Sequence, residues 1–512
     1  MTAAAQHHFP VANKGMITLV VMMATIMEVL DLTIANVAIP HMMGSLSATQ
    51  DQITWVLTSY VVASAIMMLP TGWLAGRFGR KRVFLIAIAS FTLSSALCGI
   101  ASSLGEMVFF RLLQGASGAS LVPMSQAILM DINPKEKHGS AMAMWGVGIM
   151  VAPILGPTLG GYLTEYYDWR WIFFINLPVG ILAFMGISAF LSETELHDRP
   201  FDLFGFFTLS LTIGAIQLML DRGDQADWFS SMEIIAYAGI AAGMFWMFLA
   251  HARYAMHPFL SAEMFRDRNY VTALIFIFFV GIILLATMAL LPPFMQNLMG
   301  YPVMDVGILM APRGIGTLVG MVIVGVTSGK VDPRPLIVLG LLLTAVSLWE
   351  MTQFGSFVPE RLIIRSGITQ GLGLGLIFVP LSTLAFATLD SKYRTEGAGL
   401  FSLVRNIGSS IGISVVTTLL GVSIQTNHSY LAENITPYNT GVAAQFMPQA
   451  MNNSTAALSL LNAEINKQAA TIGYINDFAI MMWMVICTIP MVFLLRNPHR
   501  KKDEELPHMI AE

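Results

Sequence analysis

Charge is scarce in this chain. Of its 512 residues only 11% are Asp, Glu, Lys or Arg, against 55% hydrophobic, about half the charged share of an ordinary soluble domain. A surface facing water on every side cannot be built from that composition, and a formal net charge of −4 leaves no basic face for nucleic acid. Cysteine is nearly missing: Cys98 and Cys487 both fall in apolar stretches, so neither a disulfide framework nor a thiolate metal site is expected. A phosphate-cradling loop is absent too. The one Gly-Lys pair, Gly329-Lys330, is followed by Val331 and has no glycine five residues before Gly329, which excludes nucleotide-driven pumping of the P-loop kind. The first apolar stretch is too long for a cleavable signal and carries Glu28 and Asp31, so uncleaved insertion is expected.

What the chain has instead is a series of apolar runs of roughly 20 residues, the length that crosses a bilayer as helix. They cover residues 16–40, 52–74, 83–103, 106–130, 139–163, 170–191, 203–220, 232–251, 270–294, 303–326, 335–354, 360–387, 397–421 and 475–496. This predicts an all-α integral membrane protein with 14 transmembrane helices. Alternate loops, counted with the ends, hold 19 Lys and Arg in one set and 4 in the other, so the positive-inside rule puts both termini in the cytoplasm. Trp55, Trp169, Trp171 and Trp349 fall at predicted outer ends and Trp73 at an inner one, as an interfacial aromatic belt requires.

The chain repeats itself. Gly72, Gly76, Arg77, Lys81 and Val83 align without gaps on Gly325, Gly329, Lys330, Arg334 and Leu336, an offset of 253, and Gln114-Gly115 aligns on Gln370-Gly371 at an offset of 256. Related helical halves are how many secondary transporters are built, with a site between them at the membrane midplane. The expected organisation is a six-helix bundle over residues 1–200, two inserted helices over 201–260, and a second six-helix bundle over 261–512. The last includes an extracytoplasmic segment at 422–474. There Leu458, Leu461, Ile465, Ala469 and Ile472 follow helical spacing, so an amphipathic helix should lead into the last span. It would serve either as a cap folded on the protein or as a docking surface.

In the fifth span Gly148, Ala152, Gly156 and Gly160 recur every four residues and so share one helical face that another backbone can approach. Pro153 and Pro157, set between them, favour a bend. The aligned stretch of the second half, residues 396–420, has Gly408 and Gly412 but no proline, which confines the expected hinge to the first half.

Ionisable residues within spans are costly and mark candidate sites. Six stand out: Glu28, Asp31, Arg111, Arg313, Arg365 and Arg405, carrying +2 together if all are charged. Thr25, Glu28 and Asp31 step by three along the first span, so the two carboxyls should be neighbours on one face. Burial and mutual repulsion both favour protonation of a carboxyl, which would let at least one of them exchange a proton. A permanent structural pairing with one of the arginines is the alternative. Four cations against two acids suggest that the interior tolerates anionic or weakly acidic ligands. The 36 methionines suit either a broad-specificity cavity or ordinary apolar packing.

Several segments resemble motifs of a known family. Ala152-x-x-x-Gly156-Pro157-x-x-Gly160-Gly161 resembles the antiporter motif G-x-x-x-G-P-x-x-G-G of major facilitator drug exporters, with Ala in the first place. Asp31, Thr33, Asn36 and Pro40 match their first-span motif, and Arg111, Gln114, Gly115 and Gly118 their fourth-span motif. Gly72, Arg77, Gly79, Arg80 and Lys81 match the signature between spans two and three, where Gly76 replaces the usual Asp; the run Trp169 to Gly180 is a further match. The chain thus resembles the EmrB and QacA type of drug:proton antiporters.

That resemblance implies the major facilitator fold, two six-helix bundles plus two helices. It implies no enzyme and no cofactor, but proton-driven export of hydrophobic or weakly acidic toxic compounds across a bacterial inner membrane. It also implies a periplasmic adaptor and an outer-membrane channel as partners. Proton coupling would fall to Asp31, Glu28 and Arg111. Asn36, Gln114, Arg313, Arg365, Arg405 and Asn406 would line the cavity or gate it, and the fifth-span motif would be the hinge. An exporter of one metabolite or siderophore, or an importer of the same fold, are the other readings.

Overall fold

The computed structural model describes residues 13–495 except 135–136, 195, 197–199, 329, 356, 434 and 436–453. The two chain ends, whose side of the membrane the basic residues predict, lie outside the described residues. Eighteen helices follow one another with no strand among the described residues. The first ten are α1 (Lys14–Ser45), α2 (Gln50–Ile53), α3 (Trp55–Met68), α4 (Thr71–Phe78), α5 (Arg80–Ile100), α6 (Leu104–Gly118), α7 (Leu121–Ile132), α8 (His138–Tyr166), α9 (Trp171–Phe174) and α10 (Asn176–Phe190). Then come α11 (Leu203–Arg222), α12 (Met232–Tyr254), α13 (Arg268–Pro293), α14 (Val303–Thr327), α15 (Pro333–Met351), α16 (Glu360–Ala387), α17 (Arg394–Glu433) and α18 (Ser454–Thr488). With no water in hydrocarbon to satisfy backbone groups, helix is what an apolar run of this length must form.

Among the described residues each of the fourteen apolar stretches is helical along most of its length. Among the described residues, twelve stretches are long and apolar enough to cross a membrane unaided, and α3 with α4 makes a thirteenth bent by 54°. The bend sits at Pro70, which has no N–H to return to Ile66. The remaining stretch, 106–130, is split into α6 and α7 at Ala119-Ser120, where Pro123 leaves the Ala119 carbonyl without its helical donor. The chain is therefore a multi-pass membrane protein. At the end of α13, the pair Pro292-Pro293 is followed by a π-helical turn, Phe294–Leu298.

The helices sort by packing. Helices α1, α3, α5, α6, α7, α8 and α10 pack on one another, as do α13 to α18, while α11 lies against α3 on one side and α17 on the other. Helix α12 buries only Ile234, Ala241 and Phe248, a single stripe at seven-residue spacing that faces α11. Close packing rests on small residues. A Cβ on Gly115 would lie 2.3 Å from the Tyr60 carbonyl oxygen and one on Gly281 2.4 Å from that of Arg405; Gly316 and Gly320 touch the backbone of α16 as closely.

The segment 422–474 differs from the sequence expectation. The expected helix into the last span is there, α18 from Ser454, but it has a companion: α17 runs on to Glu433, so two helices leave the membrane side by side. His428 Nε2 meets Asn462 Oδ1 at 3.1 Å, and Asn476 donates to Ser423 Oγ at 3.3 Å. Leu461, Ile465, Ala469 and Ile472 turn towards the protein, whereas Leu458 is 66% exposed.

Candidate functional site

Asp31 is fully buried, and its carboxylate gathers three donors from two helices. Arg111 Nη1 of α6 reaches Oδ2 at 2.6 Å, Gln114 Nε2 reaches Oδ1 at 2.8 Å, and Asn176 Nδ2 of α10 reaches Oδ1 at 2.7 Å. Each donor is itself held. Arg111 donates from Nε to the Val56 carbonyl at 3.2 Å and from Nη1 to Gln114 Oε1 at 2.9 Å, and lies under the Tyr60 ring at 4.3 Å. Asn176 also donates to Ser95 Oγ at 3.0 Å. A buried charge demands partners of this quality, since desolvating an ion costs several kcal/mol. The arrangement also constrains chemistry: a proton added to Asp31 would remove the charge that holds Arg111 and weaken the bonds from all three donors.

Glu28 lies one turn earlier on α1, buried beside Asp31, and is electrostatically coupled both to Asp31 and to Arg405 of α17. The two carboxyls expected to be neighbours are therefore together, and Arg405 brings the second group of helices to them. Asn36 is exposed and donates to the Leu32 carbonyl, while Asn406 is half-buried. Arg365 stands apart, its side chain 62% exposed and paired with Glu350 at 3.0 Å.

The small face of α8 packs on α1. A Cβ on Gly148 would lie 2.3 Å from Met22 Cε, on Gly156 2.3 Å from Thr33 Oγ1, and on Gly160 2.8 Å from Ile34 Cγ1. Ala152 is fully buried, with Thr33 Oγ1 at 3.5 Å from its carbonyl, whereas Gly161 faces open space. The helix is continuous through Pro153 and Pro157. Thus the motif face seats the helix that carries Glu28 and Asp31. Gly156→Val is expected to force α1 and α8 apart at a cost of about 1–3 kcal/mol, lowering the melting temperature of the detergent-purified protein. An unchanged melting temperature would mean that Thr33 yields without strain.

In the second group, Gln370 of α16 donates from Nε2 to Thr287 Oγ1 of α13 at 3.2 Å, and Arg313 of α14 donates from Nη2 to the Leu284 carbonyl at 3.2 Å. Arg313 is 4% exposed, and neither its Nη1 nor Gln370 Oε1 has a hydrogen-bond partner among the described residues.

The two groups meet at the end where the basic loops lie. Asp131, at the close of α7, is shared by Arg80 of α5 and by Arg394 Nη1 of α17, the latter at 2.8 Å. Gly72 of α4 sits under α17, so that a Cβ there would lie 2.6 Å from Glu396 Cα. Glu396 in turn accepts from Ser261 N and Oγ at 2.7 and 3.0 Å. Gly139 of α8 faces Ser328, Gly146 faces Met321 of α14, and Trp145 stacks on Phe378 with ring centroids 6.0 Å apart. Gly79, at a φ of 90°, makes the turn between α4 and α5, a conformation that favours glycine. From that turn Lys81 donates to the Ser188 carbonyl at 2.8 Å; Arg77 is exposed.

Sequence reasoning missed Asn176, Ser95, Tyr60, Asp131 and Glu396. Asn176 carried a signal, being the one amide within an apolar run already singled out. Asp131 and Arg394 fall just outside the apolar runs 106–130 and 397–421.

Comparisons agree with this architecture. Residues 21–413 match the family described as Major Facilitator Superfamily. The multidrug export protein EmrB of Haemophilus influenzae is 34% identical over 93% of this chain and 94% of its own length. The fatty acid resistance protein FarB of Neisseria gonorrhoeae is 35% identical over 95% and 97%. Among solved structures, the human organic anion transporter MFSD10 aligns with a TM-score of 0.59 at 13% identity, covering 92% of this chain and 99% of that one; that likeness speaks to fold. By family match and by identity along most of its length, the chain belongs to the major facilitator superfamily, in its EmrB-like branch.

Proposed function

We propose that this protein is a proton-coupled exporter of hydrophobic or weakly acidic toxic compounds in a bacterial inner membrane, working by alternating access. The observation that carries the reading is the Asp31 carboxylate, fully buried and bound by donors from α6 and α10. Its protonation would remove the charge that ties Arg111 of α6 to α1, which is a link between proton and conformation of the kind an antiporter needs. The contacts at the basic-loop end are those of a form closed to the cytoplasm, in which an external proton is taken up after substrate has left. Moving one charge inward across the membrane releases about 2.3 kcal/mol per 100 mV. The relatives named for multidrug export and fatty acid resistance support export over import.

The test is transport in proteoliposomes under an imposed pH gradient without nucleotide. Accumulation of a lipophilic dye that collapses with the gradient is expected; accumulation indifferent to the gradient would remove proton coupling.

The same reading includes a periplasmic adaptor and an outer-membrane channel, and the α17–α18 hairpin, with Tyr430, Leu458 and Leu460 exposed, is the surface offered to the adaptor. Changing Tyr430 and Leu458 to Asp should cut adaptor co-purification at least tenfold while membrane levels hold. Normal recovery would place docking elsewhere.

A further inference from the structure

The two buried polar clusters occupy corresponding places in the two halves. Gln114 and Gln370 are 256 residues apart, and each donates its amide to a residue of the first helix of its half, Asp31 or Thr287, which are also 256 apart. Gly115 rests on the Tyr60 carbonyl oxygen and Gly371 on that of Arg313, and Tyr60 and Arg313 are separated by 253 residues, the offset already seen between the loops. The frame is therefore the same: a first helix, a second helix and a glutamine-bearing fourth helix meeting at one level. Its contents differ. In the first half the cation is Arg111, answered by Asp31. In the second half the arginine comes from the second helix, in the place of Tyr60, and the position of the carboxylate is taken by a threonine hydroxyl.

The consequence is a buried cation without a counterion among the described residues. Arg313 spends one terminal nitrogen on the Leu284 carbonyl and leaves Nη1 unpartnered among the described residues, and one turn further along α13 Thr287 accepts from Gln370 of α16. An arginine serving only to hold a carbonyl would not require a full charge to be buried, at a penalty of several kcal/mol. Leu284 and Thr287 are three residues apart on α13, so Arg313 and Gln370 reach the same face of that helix. An ionised carboxyl suits this place: it would accept from Arg313 Nη1 in a charge-assisted bond, beside the Thr287 hydroxyl, which donates to the Ile283 carbonyl at 2.8 Å.

We infer that Arg313, at the face of α13 where Thr287 and Gln370 meet, anchors a carboxylate subsite in the second half, which holds the head of an acidic amphiphile while Asp31 and Glu28 handle the proton in the first. The inference deepens the export reading and rests on it for the identity of the amphiphile as cargo. The subsite supplies the charge that Asp31 supplies to Arg111, but from the ligand.

Equilibrium binding tests this without transport. The purified protein in nanodiscs is titrated at pH 8 with dodecanoate, and in parallel with dodecanol, which has the same chain and no charge. Arg313→Gln should weaken dodecanoate at least tenfold and leave dodecanol within twofold, whereas Arg313→Lys should keep most of the preference. Thr287→Asp rebuilds the first half's ion pair in the second; it should abolish dodecanoate binding while raising the melting temperature, so loss of binding cannot be loss of fold. Wild-type protein that does not bind dodecanoate, or variants that bind it as wild type does, would overturn the subsite. Acetate competing as well as dodecanoate would overturn the amphiphile assignment in favour of a free anion. If dodecanoate binds as expected but proteoliposomes show no gradient-driven export, the export reading falls and the subsite stands.

Discussion

Asp31→Asn is expected to abolish transport driven by a pH gradient, a loss of at least a hundredfold, while the protein still reaches the membrane. The side chain keeps its shape, so Arg111, Gln114 and Asn176 find an amide where three donors met a carboxylate. The amide cannot take up a proton, and it leaves Arg111 buried without its counterion. Removing one partner of a buried pair costs about 3–5 kcal/mol, so a lower melting temperature should accompany the lost coupling. The two effects separate in the double variant. Arg111→Met added to Asp31→Asn removes the stranded charge and should restore much of the stability, but none of the gradient dependence. Gradient-driven export by Asp31→Asn at the wild-type rate would take Asp31 out of the mechanism and leave Glu28 as the proton carrier.

Much of this was legible in the sequence, because the membrane makes composition decisive. Apolar length alone marked the helices, and the rule that ionisable residues do not sit in lipid idly found Asp31, Glu28, Arg111 and Arg313. Step-by-three spacing put the two carboxyls together. What could not be read was which helix each group faces. Arg365 lies within an apolar run, as Arg111 does, yet it pairs with Glu350 while partly exposed, and Arg111 is sealed in a network. Sequence spacing fixes a residue's place on its own helix and says nothing of rotation about the neighbours. The Gly-rich face of α8 was visible as a packing surface, but that its partner is the Asp31 helix followed only from the fold. The segment 422–474 misled for another reason: a helix that has left the membrane loses its apolar signature while keeping its backbone bonds, so α17 and α18 outrun the stretches by which they were found.

The second large effect concerns the end closed by the two groups of helices. Two kinds of contact close it. Asp131 joins Arg394 across the gap, and Gly72 touches the backbone at Glu396. They should not be equally sensitive. The ion pair lies at a partly exposed rim, where water can solvate Arg80 and Arg394 once Asp131 no longer joins them, so Asp131→Asn is expected to slow export about tenfold. A side chain at position 72 has no such relief, because the atom it would strike, 2.6 Å away, is a Cα of α17 and cannot rotate aside. Gly72→Val should therefore hold the two groups apart and favour the form open to the cytoplasm. Export should fall at least a hundredfold. A cysteine placed at Ser328, which faces Gly139 across the same gap, should be labelled faster by a membrane-impermeant maleimide added to inverted vesicles. The reverse order, with Asp131→Asn crippling and Gly72→Val nearly silent, would mean that charge rather than backbone fit keeps this end shut. Unchanged labelling in a Gly72→Val protein that has lost transport would show that the contact serves folding and not the cycle.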